Sequence, residues 1–235
     1  MRVIAAIFAR GGSKGVLRKN VRELAGRPLI GWSIDVARSV PRVSRVVVST
    51  DDSEIADVAR ACGAEVPFIR PAALATDAAS EWLAWQHFVA HVGGGFGDEP
   101  DDTMLSVPTT SPLRNVEDLE ACLDALERSQ ADVAITVTPA SRHPAFNMVK
   151  LDADGYAALA MHLDQPVVRR QDAPAIFDIT TVAYAARVSF IRRARGVFDG
   201  RVATAVVPAE RALDIDSEHD LAIAACLMAR KAEGR

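Results

Sequence analysis

Two clusters at opposite ends of the chain carry residue types suited to phosphate chemistry. Near the amino terminus, Arg10-Gly11-Gly12-Ser13-Lys14-Gly15 runs into Arg18-Lys19-Asn20. The glycines leave backbone amides uncovered, Ser13 adds a hydroxyl donor, and Arg10, Lys14, Arg18 and Lys19 supply four cations within ten residues. Free amides beside fixed cations make a cradle for a polyphosphate. The spacing fits neither the P-loop nor the dinucleotide fingerprint, so the cradle is of another kind. Near the other end stands Asp214-Ile215-Asp216. In an extended segment this alternation puts both carboxylates on one face and Ile215 on the other. Two hard oxygen anions so placed suit Mg2+ held against phosphates. Between the clusters, Arg169-Arg170-Gln171 offers adjacent guanidinium groups for a substrate carboxylate or phosphate, or else forms a solvated basic turn. Pro108-Thr109-Thr110-Ser111-Pro112-Leu113-Arg114 gathers three hydroxyls and an arginine.

These groups need a scaffold, and the apolar patterning supplies one. Residues 3–9 read as a strand buried on both faces, as do 45–50, 103–107, 132–138 and 202–207. Helical spacing follows at 29–39, from Asp52 or Ser53 to Gly63, at 81–91, from Asn115 through Leu126, and at 220–231. Asp77 is read as a possible cap for a helix beginning near Ala78, and Trp82 and Trp85 as core filling. Strand alternating with helix predicts an α/β fold, a Rossmann-like three-layer sandwich with a mostly parallel sheet. Ligands in such sheets sit beyond the carboxyl ends of the strands, where the cradle and the turn at Asp51-Asp52 fall. Residues 139–171 break the pattern and read as a β-rich excursion, with strands near 146–151 and 156–161 around a polar turn. The chain as a whole, 1–235, reads as a single domain.

Composition sets bounds. With 235 residues, 49% hydrophobic and 25% charged, the chain is an ordinary globular protein. A net charge of −4 gives no reason to expect nucleic acid as a partner. No apolar run reaches the length of a membrane span, and the start runs straight into a strand, so a cytoplasmic protein is expected. Cys62, Cys122 and Cys226 lack metal spacing, fit a reducing compartment, and are expected as small core residues on helices. No cationic neighbour activates them as nucleophiles. No general base stands out; His143 and His219 read as structural or capping residues.

The phrase A-R-G-G-S-K-G-x-x-x-K-N resembles the acylneuraminate cytidylyltransferases, the CMP-sialic acid synthetases. Similar phrases recur: V-P-F-x-R-P, L-A-x-D-x-A-S, T-S-P-L-R where the family writes Q-P-T-S-P-L-R, R-R-Q-D-x-P and D-I-D. The resemblance implies a fold of the nucleotide-diphospho-sugar transferase type and transfer of CMP from CTP to a 2-keto-3-deoxy sugar acid, with Mg2+ as cofactor. It implies that Arg10, Lys14 and Lys19 act on the triphosphate with Gly11, Gly12 and Ser13. Asn20, Arg70 and Ser80 would contact the nucleotide, and Asp214 and Asp216 the metal. Arg169, Arg170, Gln171 and Thr180 would meet the sugar acid. It further implies a homodimer formed through 139–171. Two departures fall where the family faces its substrate: Pro108 replaces a glutamine, and Thr180-Thr181-Val182 replaces N-G-A. They point to a differently shaped sugar pocket. Legionaminic, pseudaminic or octulosonic acid, a phosphonate, or a catalytically silent nucleotide-binding protein stand as alternatives.

Overall fold

Alternation along the first strand divides the molecule into layers. Val3, Ala5 and Ile7 enter one hydrophobic core and Ile4 and Ala6 another, so both faces of the strand are covered. The computed structural model describes residues 2–97, 99–163, 165 and 169–232. In chain order the elements are β1 (Val3–Phe8), β2 (Glu23–Leu24), β3 (Arg27–Pro28), α1 (Leu29–Arg38), β4 (Val43–Ser49), α2 (Ser53–Ala61), α3 (Glu81–His91) and β5 (Thr103–Ser106). There follow α4 (Val116–Ser129), β6 (Val133–Pro139), β7 (Val149–Leu151), β8 (Ala157–Leu159), β9 (Phe177–Arg187), α5 (Val188–Arg193), β10 (Val202–Val206) and α6 (Glu218–Ala232).

Six strands form one sheet in the order β10-β6-β9-β5-β1-β4. Neighbours are parallel except β9, which runs antiparallel to both β5 and β6. The mostly parallel three-layer expectation therefore holds. Helices α1, α2 and α4 pack on one face through Ile30, Ile34, Ile55, Leu119 and Leu123. Helices α3 and α5 cover the other through Trp82, Trp85, Phe88 and Phe190, so the tryptophans fill core as expected. After β1 the chain goes to β4 on one side and returns to β5 on the other. That reversal is the switch point at which a crevice opens beyond the carboxyl ends.

Local caps explain several boundaries. The Asp52 carboxylate accepts from Ile55 N at 3.0 Å and starts α2. Asn115 and Asp118 form a reciprocal capping box at α4. The cap of α3 is Ser80, which accepts from Trp82 N, and Asp77 is free for another use. Helix α6 begins at Glu218, two residues earlier than its apolar pattern indicates, because Ser217 and Asp220 cap each other's backbone. The small β2–β3 hairpin and α5 are too short to leave a periodic signal. Of residues 64–71, Glu65 makes an isolated bridge to Val47.

The β-rich excursion is present as the hairpin β7–β8, turning at Asp152 to Tyr156. It is narrower than the strands expected at 146–151 and 156–161. Met148, Val149, Leu151, Tyr156, Phe177 and Ile179 are exposed around it. The cysteines differ from one another. Cys122 is buried, and loss of solvent pushes its thiol up to about 12. Cys62 is half-buried at the end of α2, and Cys226 is exposed on α6, so the core placement expected for it is corrected. Among the described residues no helix is long and apolar enough to cross a membrane.

Candidate active site

The two clusters meet. Lys19 Nζ donates to the carbonyl of Ile215 at 2.7 Å and lies 3.3 Å from Asp216 Oδ1. Ile215 is fully buried with Val16, Leu24, Leu29 and Leu221, and this small core pins the late segment beneath the early loop. Its amide also donates to Thr110 O at 2.8 Å, which ties it to the end of β5. Gly15 is where the two backbones touch, since a Cβ built there falls 1.9 Å from the carbonyl oxygen of Asp216. Only glycine permits that approach.

Around this junction lies a groove made of two adjoining hollows. One, of about 250 Å³, is lined by Arg10, Ser13, Lys14, Lys19, Asn20 and Asp216. The other, of about 380 Å³, is lined by Arg10, Arg70, Glu81, Thr181, Tyr184 and Asp214, among others. Phe8, Arg10, Thr110 and Asp216 border both. The predicted phosphate cations and the predicted metal carboxylates thus share one crevice at the carboxyl end of β1.

The cations are held by acids. Arg10 Nη1 lies 2.7 Å from Asp77 Oδ1, and Lys14 pairs with the other oxygen of the same carboxylate. The bond from Lys14, with that from Arg10, keeps the Asp77 carboxyl below its ordinary range. Arg18 leaves the cradle altogether. Its guanidinium binds Asp52 at 2.6 Å and also Glu54 at the start of α2. Gly11 N donates to Asp51 Oδ1 at 3.1 Å, and nothing lies within 4 Å of a Cβ built on Gly12.

Asn20 lines the first hollow and is held at both ends of its side chain. Its amide nitrogen donates to Arg10 O at 2.9 Å, and its oxygen accepts from Thr109 at 2.7 Å. Both ends are engaged, so Asn20 fastens the cradle to the loop after β5. Arg70 is 4% exposed, with Nη2 at 3.8 Å from Asp51 Oδ1 and Nε buried without a partner. Desolvation holds this guanidinium below its usual value, with the charge of Asp51 opposing that shift. Ser80 is exposed and spends its hydroxyl as a cap, outside the lining of either hollow.

Of the two threonines replacing N-G-A, Thr181 lines the groove. Thr180 is buried and donates to Thr136 Oγ1 at 2.7 Å. Thr181 Oγ1 lies 2.7 Å from Ser111 Oγ and 3.1 Å from Thr110 Oγ1. Arg114, wholly enclosed, braces the same loop by donating to Ser33 Oγ and to the carbonyls of Pro108 and Thr181. Burial brings its guanidinium down to about 9.

Arg169 and Arg170 do not reach the groove within this chain. Arg169 pairs with Asp172 at 2.9 Å, and Arg170 donates to Ala140 O beside a separate hollow lined by Arg142 and His143. The Gln171 side chain lies outside the described residues. His143 is structural, its ring nitrogens engaged by Pro174 O and Ala145 N.

Asp214 Oδ1 is buried with no hydrogen-bond partner, while the Asp216 carboxylate is exposed beside Lys19 and only its backbone amide is tied to the α6 cap at Asp220. A buried, unsatisfied carboxylate oxygen is costly unless something fills its place. One bare acid beside an accessible one suits a hard cation that takes its remaining oxygens from phosphates and water.

Glu81 and Tyr184 were not singled out by sequence reasoning. Glu81 opens onto the groove from the first turn of α3, and Trp85 Nε1 donates to its Oε1 at 3.2 Å. Glu81 is exposed as a residue, but protein around its carboxyl end desolvates that group and holds it above the ordinary value, against the Trp85 bond and the charge of Arg70. Desolvation pushes the Tyr184 hydroxyl up to about 12, with Glu81 and Asp214 adding to the effect. Their positions in an amphipathic helix and an apolar strand look like structure in the sequence, so only the fold reveals them.

Known proteins resemble this chain over most of its length. The chain matches the model of the Cytidylyltransferase family over residues 4–199. It is 31% identical to post-translational flagellin modification protein B of Campylobacter coli, with 97% of this chain and 96% of that protein covered. It is 30% identical over the same shares to the CMP-N,N'-diacetyllegionaminic acid synthase of Campylobacter jejuni. A solved CMP:2-keto-3-deoxy-manno-octonic acid synthetase complexed with CTP superposes with a TM-score of 0.74 at 19% identity, covering 98% of this chain and all of the other. The family match spans most of the chain, and with it the phosphate-type cradle at the end of β1, so this protein belongs to the cytidylyltransferase family.

Proposed function

We propose that the enzyme couples CTP to a 2-keto-3-deoxy sugar acid of the sialic-acid type, giving the CMP-sugar and pyrophosphate, with Mg2+ as cofactor. One observation carries this reading: the early cations and the Asp214–Asp216 pair line one crevice, with Lys19 bridging them at 3.3 Å.

A hydroxyl of the acid attacks the α-phosphorus of CTP, and pyrophosphate leaves on the opposite side. Such a reaction asks the protein for alignment and for neutralisation of charge on phosphate oxygens. Arg10, Lys14 and Lys19 take the β- and γ-phosphates and the departing pyrophosphate, helped by Ser13 and the amide of Gly12; the Gly11 amide is already given to Asp51 and so does not serve as expected. Asn20 holds that cradle in shape. Asp214 and Asp216 would hold Mg2+, whose charge supplements the cations on the phosphates. Arg70 lies on the β4 side of the groove, where the nucleoside runs. Pro108, Thr110 and Thr181 lie on the β5–β9 side, where the acid enters.

The acid is a proposal at the level of class. Relatives are named for legionaminic and pseudaminic acids and for N-acylneuraminate. A further hollow of about 280 Å³, walled by Trp82, Trp85, Ile179 and Phe198, adjoins the groove at Tyr184 and suits an apolar substituent such as an acyl methyl. We also assign a homodimer. The exposed apolar residues around β7 and β8 favour a covered surface there. Arg169 and Arg170, remote from the groove of their own chain, then serve the partner's acid. The three free cysteines suit a cytoplasmic setting.

Pyrophosphate release from CTP, measured with a panel of sialic, legionaminic, pseudaminic and octulosonic acids, tests the reading. Turnover with at least one acid is expected, and the preferred acid names the enzyme. No turnover with any of them, in protein shown to be folded, refutes it.

A further inference from the structure

The cradle begins where the sheet stops. Pairing of β1 reaches the bond from Ala9 N to Ser49 O on the β4 side and that from Val107 N to Ala6 O on the β5 side. Arg10 lies beyond both, and side chains hold the backbone there: Asp51 takes Gly11 N at 3.1 Å, and the Asn20 amide donates to Arg10 O at 2.9 Å. A carbonyl can only accept, so the nitrogen of that amide must face Arg10 and its oxygen must face away. The oxygen meets Thr109 Oγ1, which donates to it at 2.7 Å. Asn20 and Thr109 are 4% and 3% exposed, so an oxygen this enclosed depends on that donor.

Thr109 is also tied to the other cluster. The carbonyl of Thr110, next in the chain, accepts from Ile215 N at 2.8 Å, between Asp214 and Asp216. One peptide step thus holds the phosphate loop through a side chain and the carboxylate segment through the backbone. Asn20 itself belongs to the short turn Lys19–Val21, so fixing it also fixes the base of Lys19. In the family phrase Q-P-T-S-P-L-R a proline, which has no hydroxyl, stands opposite Thr109, so this clamp is a feature of the present chain.

We propose that Thr109 is a positioning residue for the transfer: by donating to Asn20 it fixes the amide that holds Arg10 O, and so sets the phosphate cradle against the Asp214–Asp216 segment. This rests on the groove being the CTP site, as argued above. Without the hydroxyl, the Asn20 oxygen is left enclosed and unpaired, and the amide turns toward another donor and releases the Arg10 carbonyl. The loss falls on the placement of the cations around the phosphates and leaves the affinity for the acid as it was.

The test measures kcat and KM for CTP and for the preferred acid in wild type, Thr109→Val and Thr109→Ser, well below the melting temperature of each. Equilibrium binding of CTP without the acid gives a second readout. Valine keeps the shape and removes the donor, whereas serine keeps the donor and removes the methyl. Thr109→Ala removes the same donor with less bulk and replaces valine if that variant does not fold. The expected result for Thr109→Val is a fall in kcat/KM for CTP of about tenfold to about hundredfold, with weaker CTP binding, an unchanged KM for the acid, and recovery in Thr109→Ser. Thr109→Val added to Asn20→Ala should cost nothing beyond Asn20→Ala alone. Wild-type constants in folded Thr109→Val overturn the proposal. So does a Thr109→Ser enzyme as poor as Thr109→Val, which marks packing by the methyl, or a loss confined to the KM of the acid. Losses that multiply in the double variant overturn it as well, because Thr109 then does not act through Asn20. Arg10→Ala and Asp214→Asn separate the two levels. If they abolish CTP turnover while Thr109→Val behaves as wild type, only the positioning role falls. If they leave CTP turnover intact, the groove is not the nucleotide site and both readings fall.

Discussion

Gly15→Ala separates a merely crowded loop from one that sets the distance between cations and carboxylates. A methyl on Gly15 would lie 1.9 Å from the backbone oxygen of Asp216, and real contacts of this kind are not shorter than 3.0 Å. The segment carrying Asp216 must retreat from the loop carrying Lys14 and Lys19 by about 1.1 Å. The obstacle is backbone, and Ile215 beside it is anchored in a filled core, so no side chain can swing aside to absorb the change. Overpacking of this kind costs roughly 1–3 kcal/mol. In a chain of 235 residues that lowers Tm by roughly 2–12 °C. Activity suffers more, because an error of about 1 Å in a reacting constellation costs about a hundredfold in rate. Pyrophosphate release at saturating CTP and acid, alongside a thermal melt, reads both quantities. Gly12→Ala, with open space around the added carbon, is expected to lose less than about tenfold by the same reckoning. A Gly15→Ala enzyme with kcat/KM equal to wild type, or one no worse than Gly12→Ala, would show that the contact between the two clusters does not govern catalysis.

Three further outcomes follow from particular side chains. Asp77 competes with the triphosphate for Arg10 and Lys14, so Asp77→Asn should lower the KM for CTP severalfold; a rise in KM would mean that Asp77 contributes to binding instead. Asp214→Asn should lose Mg2+-dependent turnover while retaining its fold, as read by a Mg2+ titration of activity with a melt beside it; normal Mg2+ dependence would remove Asp214 from the metal site. The Asp52 carboxyl sits below its ordinary value because of the Arg18 bond, so its contribution to stability is full above the ordinary carboxylate range and disappears as pH falls through the lowered value. Urea melts of Asp52→Asn, which keeps a capping side chain, should therefore show a deficit of about 0.2–1 kcal/mol at pH 7 that shrinks as acid protonates Asp52 in the folded chain; a deficit that grew with acid would contradict the assignment.

Much of this arrangement was legible from residue types alone, and the reason is physical. A strand buried on both faces must be apolar throughout, so β1, β5 and β6 announce themselves, and glycines with cations after β1 have few uses besides holding an anion. The D-I-D alternation fixes Ile215 inward and both acids outward whatever lies around them, and the structure shows that division. What local pattern cannot supply is the partner across space. Arg18 belongs to the cradle by sequence and to α2 by geometry, because Asp52 and Glu54 lie opposite it. Asp77 has the look of a cap, yet two cations from the early loop claim it. Ser80 matches a nucleotide-contacting phrase while its hydroxyl closes the first turn of α3. Glu81, one residue on, has the appearance of an ordinary first-turn acid that complements the helix dipole, and only the fold shows that it opens onto the groove with Trp85 bound to its Oε1.

The threonine pair on β9 shows why alternation fails at the substrate end of the groove. Period-two reasoning says that one of Thr180 and Thr181 faces the groove and the other the core, without saying which. The choice is made by a break in register. Ile135 pairs with Tyr184 and Val137 with Ile179, so Thr136 alone stands opposite four residues of β9. Its hydroxyl fills that gap, accepting from Ala183 N and Thr180 Oγ1 and donating to Ala183 O. The bulge turns Thr180 inward and brings Thr181 to Thr110 and Ser111, where Arg114 holds the Thr181 carbonyl from behind. A glycine at 181 would leave bare backbone there; threonine adds a methyl and a hydroxyl already engaged with its neighbours. With Pro108 contributing no side-chain hydrogen bond, an acid bound there as proposed would meet a narrower wall whose polar groups are largely satisfied in advance. On that proposal recognition would depend more on shape than on new hydrogen bonds, and the selection of the acid would lie in the outline between Pro108, Thr181 and Tyr184.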